Sequence, residues 1–232
     1  MRRVARDLSG GFVNAASEIE IPARGAKLEG NLTVPDAARG IVLFAHGSGS
    51  SRHSQRNHFV ARILNNAGLA TLLFDLLTRG EEAVDIRTGH LRFNIGLLAE
   101  RLGSATDWIL HEPSAHGFRL GYFGSSTGGG AALVAAAARP EPVGAEVSRG
   151  GRPDLAGAAL AKVKAPTLLI VGGGDDAVID MNREAMAKMK CEVKIELVPG
   201  ATHLFEEPGA LESVAKLASE WFTRHLPALP VV

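Results

Sequence analysis

Residues 119–132, RLGYFGSSTGGGAA, constrain the fold more than any other part of the chain. Leu120, Tyr122 and Phe123 are good strand formers, and residues 129–138 continue as a small, apolar helix. Between them Gly124-Ser125-Ser126-Thr127-Gly128 makes a tight corner with the pattern G-x-S-x-G. A strand that breaks into a helix around this pattern holds its central serine at a strained tip, a nucleophile elbow. Strand and helix close on each other there, so only residues without bulk fit two positions before and after that serine. With Ser125 at the tip those positions would be Phe123 and Thr127; with Ser126 they are Gly124 and Gly128. Ser126 is therefore the candidate nucleophile. The chain has 27 glycines, so a chance match is easy and the weight falls on the strand-turn-helix context.

The remaining sequence predicts the sheet that such a corner needs. Residues 17–21 and 26–34 alternate in polarity across a Pro22–Gly25 turn, which reads as a hairpin at an antiparallel sheet edge. Residues 41–45 form a continuous apolar run, the mark of a buried parallel strand; 69–74 and 167–171 read as buried strands too, and 143–147 and 193–198 as further strands. Helices are expected at 57–67, with Phe59, Ile63 and Leu64 inward, and at 95–110, with Leu98, Leu102, Trp108 and Ile109 inward. Further helices are expected at 153–162, 179–190 and 209–225, while 76–94 reads as a long polar connection. Alternating strands and helices give an α/β fold: a mostly parallel central sheet with an N-terminal antiparallel hairpin and helices on both faces. The expected organisation is an N-terminal arm at 1–16, one domain at 17–225 and a C-terminal tail at 226–232. Residues 149–166 are too few for an inserted cap domain, so the site should be open and modest in size.

Composition narrows the partners. Twenty-five basic residues balance 25 acidic ones, which points to neither nucleic acid nor an anionic membrane as partner. The single cysteine, Cys191, excludes an internal disulfide and a multi-cysteine metal site; a small, half-buried position near a helix end is expected for it. The first residues, MRRVARDLSGGF, carry positive charge with no apolar run behind it, and no stretch approaches the ~20 apolar residues of a membrane span. A cytoplasmic protein acting on a small molecule is expected, with a homo-oligomer left open.

A serine hydroxyl at its ordinary pKa is a poor nucleophile, so Ser126 needs a base, and the base needs an orienting carboxylate. In open α/β sheets such groups gather beyond the carboxyl ends of the strands. Gly172-Gly173-Gly174-Asp175-Asp176 follows one expected strand, and Pro199-Gly200-Ala201-Thr202-His203 follows the next. Asp175 is preferred over Asp176 because it lies nearer the strand end after a pliant glycine run; Asp176 is then a solvated loop residue or a local cap. His203 is preferred over the other histidines: His46 beside Gly47 suggests a backbone role, and His53, His58, His90, His111, His116 and His225 fall in loops or near helix ends. No histidine pair has helical metal-site spacing, so neither metal nor cofactor is expected. For an oxyanion hole the Thr127 backbone N–H is the first donor, and Ser48 in the His46-Gly47-Ser48-Gly49 loop the second, with Gly49 the alternative. Arg79, Arg149 and Arg152 fall after strands at the expected site edge. Arg79 and Arg149 are the candidates for receiving a substrate carboxylate, against the ordinary role of solvated loop charges; His53 and Arg56 stand likewise.

The HGSG loop, the GSSTGGG elbow, GGGDDAV and GATHLF, in that order, resemble the α/β-hydrolase superfamily, and the cap-less form is similar to the dienelactone hydrolase family. The resemblance covers residues 17–225 and implies Ser126, Asp175 and His203 as a catalytic triad. That family's namesake members often use a cysteine nucleophile. A serine at 126 favours general hydrolysis of carboxylic esters or lactones over dienelactone itself. An acyltransferase using the same triad, or a non-catalytic binding protein of the same fold, are the alternatives. Residues 172–177 also satisfy G-x-G-x-x-A, but two aspartates there would repel a pyrophosphate, and no Gly-Lys-Ser/Thr occurs for a P-loop.

Overall fold

The computed structural model describes residues 16–227, together with the backbone of two short strands, Ala5–Arg6 and Phe12–Val13, which pair antiparallel. The expected arm at 1–16 and tail at 226–232 lie for the most part outside the described residues.

The central sheet has eight strands: β1 (Ser17–Ala23), β2 (Ala26–Thr33), β3 (Gly40–Ala45), β4 (Ala70–Phe74), β5 (Arg119–Ser125), β6 (Val143–Arg149), β7 (Thr167–Gly172) and β8 (Val193–Val198). Their spatial order is β8-β7-β6-β5-β3-β4-β2-β1. From β4 to β8 every pairing is parallel, while β2 pairs antiparallel with both β4 and β1, so the hairpin forms the sheet's edge. The chain winds outward in opposite directions from β3: β4 lies on one side of it and β5 on the other. A crevice at the carboxyl ends of the strands follows from that reversal.

Among the described residues the α-helices are α1 (Gln55–Asn66), α2 (Arg79–Thr88), α3 (Ile95–Leu110), α4 (Thr127–Ala138), α5 (Asp176–Met186) and α6 (Ala210–His225), which, α2 apart, pack on the two faces of the sheet. Successive side chains of a strand point to opposite faces, which explains the unbroken apolar runs. Ile41, Leu43 and Ala45 of β3 join the core under α3 and α4, while Val42 and Phe44 join the core under α1 and α6. On the latter face Gly121 of β5 receives the Phe222 ring: a Cβ built there would sit 2.6 Å from it.

Several local expectations are corrected. The connection at 76–94 contains helix α2, opened by a reciprocal capping box between Thr78 and Glu81 and closed by Gly89 at φ 68°. This helix buries only Asp85 and leaves Val84 and Ile86 exposed, so it has no apolar stripe to betray it; its cap residues were the readable signal. Helix α1 buries Val60, Ala61 and Leu64 with Asn57 and Asn65, and keeps Phe59 and Ile63 half-buried. Asn65 fits an inward position because its amide donates to Leu69 O and Thr71 Oγ1. Trp108 is likewise half-buried rather than core. Helix α4 begins at Thr127, directly after the corner, and α5 runs from Asp176 to Met186 rather than from 179 to 190. Pro153–Lys162 is 3₁₀ structure broken at Gly157, whose φ is 50°. Cys191 is half-buried.

One carboxyl group is fully enclosed. Glu146 on β6 is 0% exposed, lies in register with Tyr122 and Thr167, and has no hydrogen-bond partner on either carboxyl oxygen among the described residues. Burial pushes its pKa well above the ordinary 4.5, so it is carried neutral. Unfolded, Glu146 loses its proton above about pH 4.5; folded, it keeps it, so the unfolded state binds fewer protons and stability falls as pH rises. The slope reaches about 1.4 kcal/mol per pH unit until the folded group titrates. Glu146→Gln should therefore lose less stability between pH 5 and pH 8 than the wild type in urea unfolding. Equal losses would mean that Glu146 does not carry this pH dependence.

Candidate active site

At the corner between β5 and α4, Ser126 has φ 50° and ψ −123°, a region that residues with a Cβ rarely occupy. Three backbone bonds hold it there: Ser126 N–H donates to Arg149 O at 3.4 Å, and Ser126 O accepts from Gly129 and Arg152 N–H at 3.0 Å each. The flanking glycines meet a hard steric limit. A Cβ at Gly124 would lie 2.5 Å from Gly129 Cα, and one at Gly128 would lie 2.5 Å from His46 O and closer still to Ala45 O. Ser125, by contrast, is buried within the sheet, its hydroxyl without a partner among the described residues. The half-exposed serine is Ser126.

The loop after β3 packs directly on this corner, since a Cβ at Gly47 would lie 3.1 Å from Ser126 Cβ. His46 fixes that loop. Its Nε2 accepts from Leu76 N–H at 3.0 Å, which leaves Nδ1 to donate to Gly47 O at 3.0 Å. Burial holds its pKa below 6.5, as a neutral ring with both nitrogens engaged requires. His46 thus has the backbone role expected of it. Thr127 is the first residue of α4, where backbone N–H groups have no partner within the helix and the helix dipole favours negative charge. Gly47, Ser48, Gly49 and Thr127 line one cleft of about 290 Å³, whose other walls include Leu76, Leu77, Leu98 and α2.

On the other side of the corner the loops after β7 and β8 meet. Gly173 N–H donates to Val198 O at 2.8 Å and Gly174 N–H to Ala201 O at 2.9 Å, an approach that bulk would block: a Cβ at Gly172 would lie 2.5 Å from Ala201 O. Across this junction Asp175 Oδ2 lies 2.9 Å from His203 Nδ1. Asp176 is exposed and opens α5, so the structure puts Asp175 rather than Asp176 on the ring. Phe205, buried at φ 55°, and the bonds from Thr202 to Glu207 pin the loop that carries His203. The His203 ring borders Gly150, next to Arg149, whose carbonyl takes the Ser126 N–H. Ser126 Oγ forms no hydrogen bond with His203 here.

The two arginines singled out for substrate differ. Arg79 opens α2 and is exposed, with its guanidinium on Glu29 at 2.9 Å. Arg149 ends β6 and is buried, not a solvated loop charge; its Nε and Nη1 have no partner among the described residues, and burial lowers its pKa to about 10 with Arg56 adding a smaller push. Neither lines the cleft. Arg152 forms a double hydrogen bond with Asp154, and Arg56 pairs with Glu206. The charged groups that do line the cleft are Glu82, Asp85 and Arg92, all missed because they belong to α2 and the turn after it. Among the described residues no three His, Cys, Asp or Glu side chains gather as a metal site, and no helix is long and apolar enough to cross a membrane.

Residues 28–227 match the model of the dienelactone hydrolase family. The chain belongs to that family. A dienelactone hydrolase from Anabaena variabilis is 61% identical, with a TM-score of 0.90 over 91% of this chain and 98% of that one. An esterase from Pyrococcus furiosus shares the α/β-hydrolase fold at 18% identity, with a TM-score of 0.72 over 97% of this chain and 99% of its own. A dienelactone hydrolase-like promiscuous phosphotriesterase from metagenomic libraries is similar in the same way, at 17% identity and a TM-score of 0.75 over 91% and 98%. Relatives from two strains of Mycobacterium tuberculosis, provisionally named phosphoribosyl transferases, are 53% identical over 97% of this chain and 52% of their own length. The chain thus spans about half the length of these curated relatives.

The steric limit at the elbow of this dienelactone hydrolase family member is open to a direct check. Gly128→Ala should destabilise the fold by about 3 kcal/mol or prevent it, since backbone on both sides must move. Gly25→Ala, at a turn with nothing within 4 Å, is the control and should cost less, by the positive φ alone. Equal midpoints in urea for the two variants would show that strand and helix do not close on Gly128.

Proposed function

We propose that this protein hydrolyses carboxylic esters or lactones of small substrates through an acyl-enzyme on Ser126. The observation that carries the reading is the Asp175–His203 hydrogen bond, set beside a serine held at positive φ by two sterically obligatory glycines.

In this reading the substrate carbonyl enters the cleft with its oxygen toward the Thr127 and Ser48 N–H groups. His203 Nε2 accepts the Ser126 proton as Oγ attacks, and the N–H pair takes the charge that develops on oxygen. The bond to Asp175 requires a proton on Nδ1, which leaves Nε2 free to accept and stabilises the imidazolium that forms. His203 then gives its proton to the departing alcohol, and water, deprotonated by the same nitrogen, releases the acid. The serine–histidine hydrogen bond closes when substrate is bound, as catalytic hydrogen bonds commonly do. The family membership, the Anabaena variabilis relative and the esterase of the same fold support this reading. An acyltransferase would use the same residues with another acceptor in place of water. The phosphoribosyl transfer named for the Mycobacterium tuberculosis relatives belongs to chains about twice as long, and the elbow with its histidine–aspartate pair is acyl-transfer machinery.

A fluorophosphonate should add once to the wild type by intact mass and not to Ser126→Ala, and Ser126→Ala should lose ester turnover by about ten-thousand-fold or more. Asp175→Asn keeps the nucleophile but misplaces the histidine tautomer, so it should lose less than Ser126→Ala. Full ester hydrolysis by Ser126→Ala would overturn the assignment.

A further inference from the structure

Helix α2 forms the wall of the cleft facing the loop after β3, and its first turn puts Glu82 into that wall with Ser48, Leu77 and Thr127. Two groups of ion pairs flank Glu82, and the arginine of each is bound to other carboxylates. Arg52 is bound to Asp75 and Glu29. Arg92 donates from Nε to Asp85 Oδ2 and from Nη2 to Asp85 O, while Asp85 also accepts from Leu91 N–H. The neighbouring Glu81 is occupied by Thr78 N–H and Arg101. Glu82 is left, half-buried, with neither hydrogen bond nor ion pair from its carboxylate among the described residues.

The cleft borders Thr127 and the Ser48 loop, whereas neither His203 nor Asp175 lines it. In the hydrolysis proposed above, the departing alcohol must sit where His203 can protonate it. The group that occupies the cleft is therefore the acyl chain. At about 290 Å³, roughly ten water volumes, the cleft takes a short one. We infer that Glu82 is a specificity-determining residue, accepting a hydrogen bond from a hydroxyl or ammonium group on a short acyl chain whose carbonyl lies at Ser126. Burial, then the charge on Asp75, raises its carboxyl above the ordinary value against smaller opposite pushes from Arg52 and Arg92, so a donor placed directly on it would be welcome. A carboxylate-bearing acyl chain would instead meet Glu82 and Asp85 together, against the one open edge of Arg92, whose Nη1 lies 3.8 Å from a Cβ built at Gly49.

This inference rests on the hydrolase reading, and four methyl esters separate the two. Hydrolysis followed by pH-stat compares methyl butyrate, methyl 3-hydroxybutyrate, the methyl ester of β-alanine and monomethyl succinate. The wild type should favour the hydroxyl and ammonium esters over methyl butyrate by about tenfold in kcat/KM, with monomethyl succinate slowest. Glu82→Gln should bring the ammonium advantage close to one, and Glu82→Lys should move monomethyl succinate to the front. A wild type without preference, a wild type that prefers monomethyl succinate, or an order unchanged in both variants would overturn the role of Glu82. Loss of methyl butyrate turnover in Ser126→Ala would leave the hydrolase reading standing in each of those cases. Turnover of none of the four, with Ser126 unreactive to fluorophosphonate, would overturn both.

Discussion

The candidate chemistry depends on one steric constraint: α4 leaves the sheet so abruptly that any side chain at Gly128 would collide with the carbonyls of Ala45 and His46. That close approach ties the turn after β5 to the end of β3, so the candidate nucleophile and the Ser48 loop are positioned by the same backbone. The strain at Ser126 is held by its N–H bond to Arg149 O and by bonds to its own carbonyl from Gly129 and Arg152, which means that β6 and the segment after it share in keeping the serine at its tip. Positive φ at a non-glycine residue costs of the order of 1–3 kcal/mol and persists only where the surroundings over-determine it. Here three segments do so.

A second set of close approaches brings the base to the same end of the sheet. Gly172, Gly173 and Gly174 allow the loop after β8 to lie against the end of β7, and the Asp175–His203 bond spans that junction. The two halves of the site are thus each built by glycines that admit a neighbouring carbonyl, and they meet through Arg149 and Gly150 at the end of β6. The interior is not uniformly optimised for stability. Arg149, Glu146 and the Ser125 hydroxyl are buried without full hydrogen bonding. Each burial of that kind costs stability unless it is compensated.

The third wall is of a different kind. Helix α2 has almost no apolar face, and what orders it is a capping box at its start, whose Glu81 also pairs with Arg101, and the buried Asp85 bound to Arg92 further along. A segment held by polar bonds can present charged groups to a cleft in a way that a helix with a broad apolar stripe cannot. Periodicity is blind to such a helix, because its side chains repeat no hydrophobic signal. The expected polar connection at 76–94 was the result, and with it Glu82, Asp85 and Arg92 were passed over. The Thr78–Glu81 spacing and the glycine at 89 were visible and carried the physical information. The inward face of α1 was read in part: Leu64 is buried and Phe59 and Ile63 pack against the core, whereas Asn57 and Asn65 also occupy buried positions, at Asn65 because side-chain hydrogen bonds satisfy the amide.

By itself the sequence determined what depends on local sterics and on the period of side chains. Of the six strands in parallel pairing, those at 41–45, 69–74 and 167–171 declared themselves as apolar runs because both faces of the sheet are covered there, and the edge hairpin by its alternation. The serine at the corner was distinguishable from its neighbour because only one register puts glycine on both flanks. Tertiary structure decided everything that required two distant segments to be placed together. It put Asp175 rather than Asp176 against His203, since that choice depends on how the loops after β7 and β8 dock. It turned Arg79 outward to Glu29 and buried Arg149, because β2 and α2 face each other while β6 lies in the middle of the sheet. It also left Glu82 unpaired in the cleft, because its candidate partners, Arg52 and Arg92, are nearer to other carboxylates, a competition that no reading of one segment alone can settle.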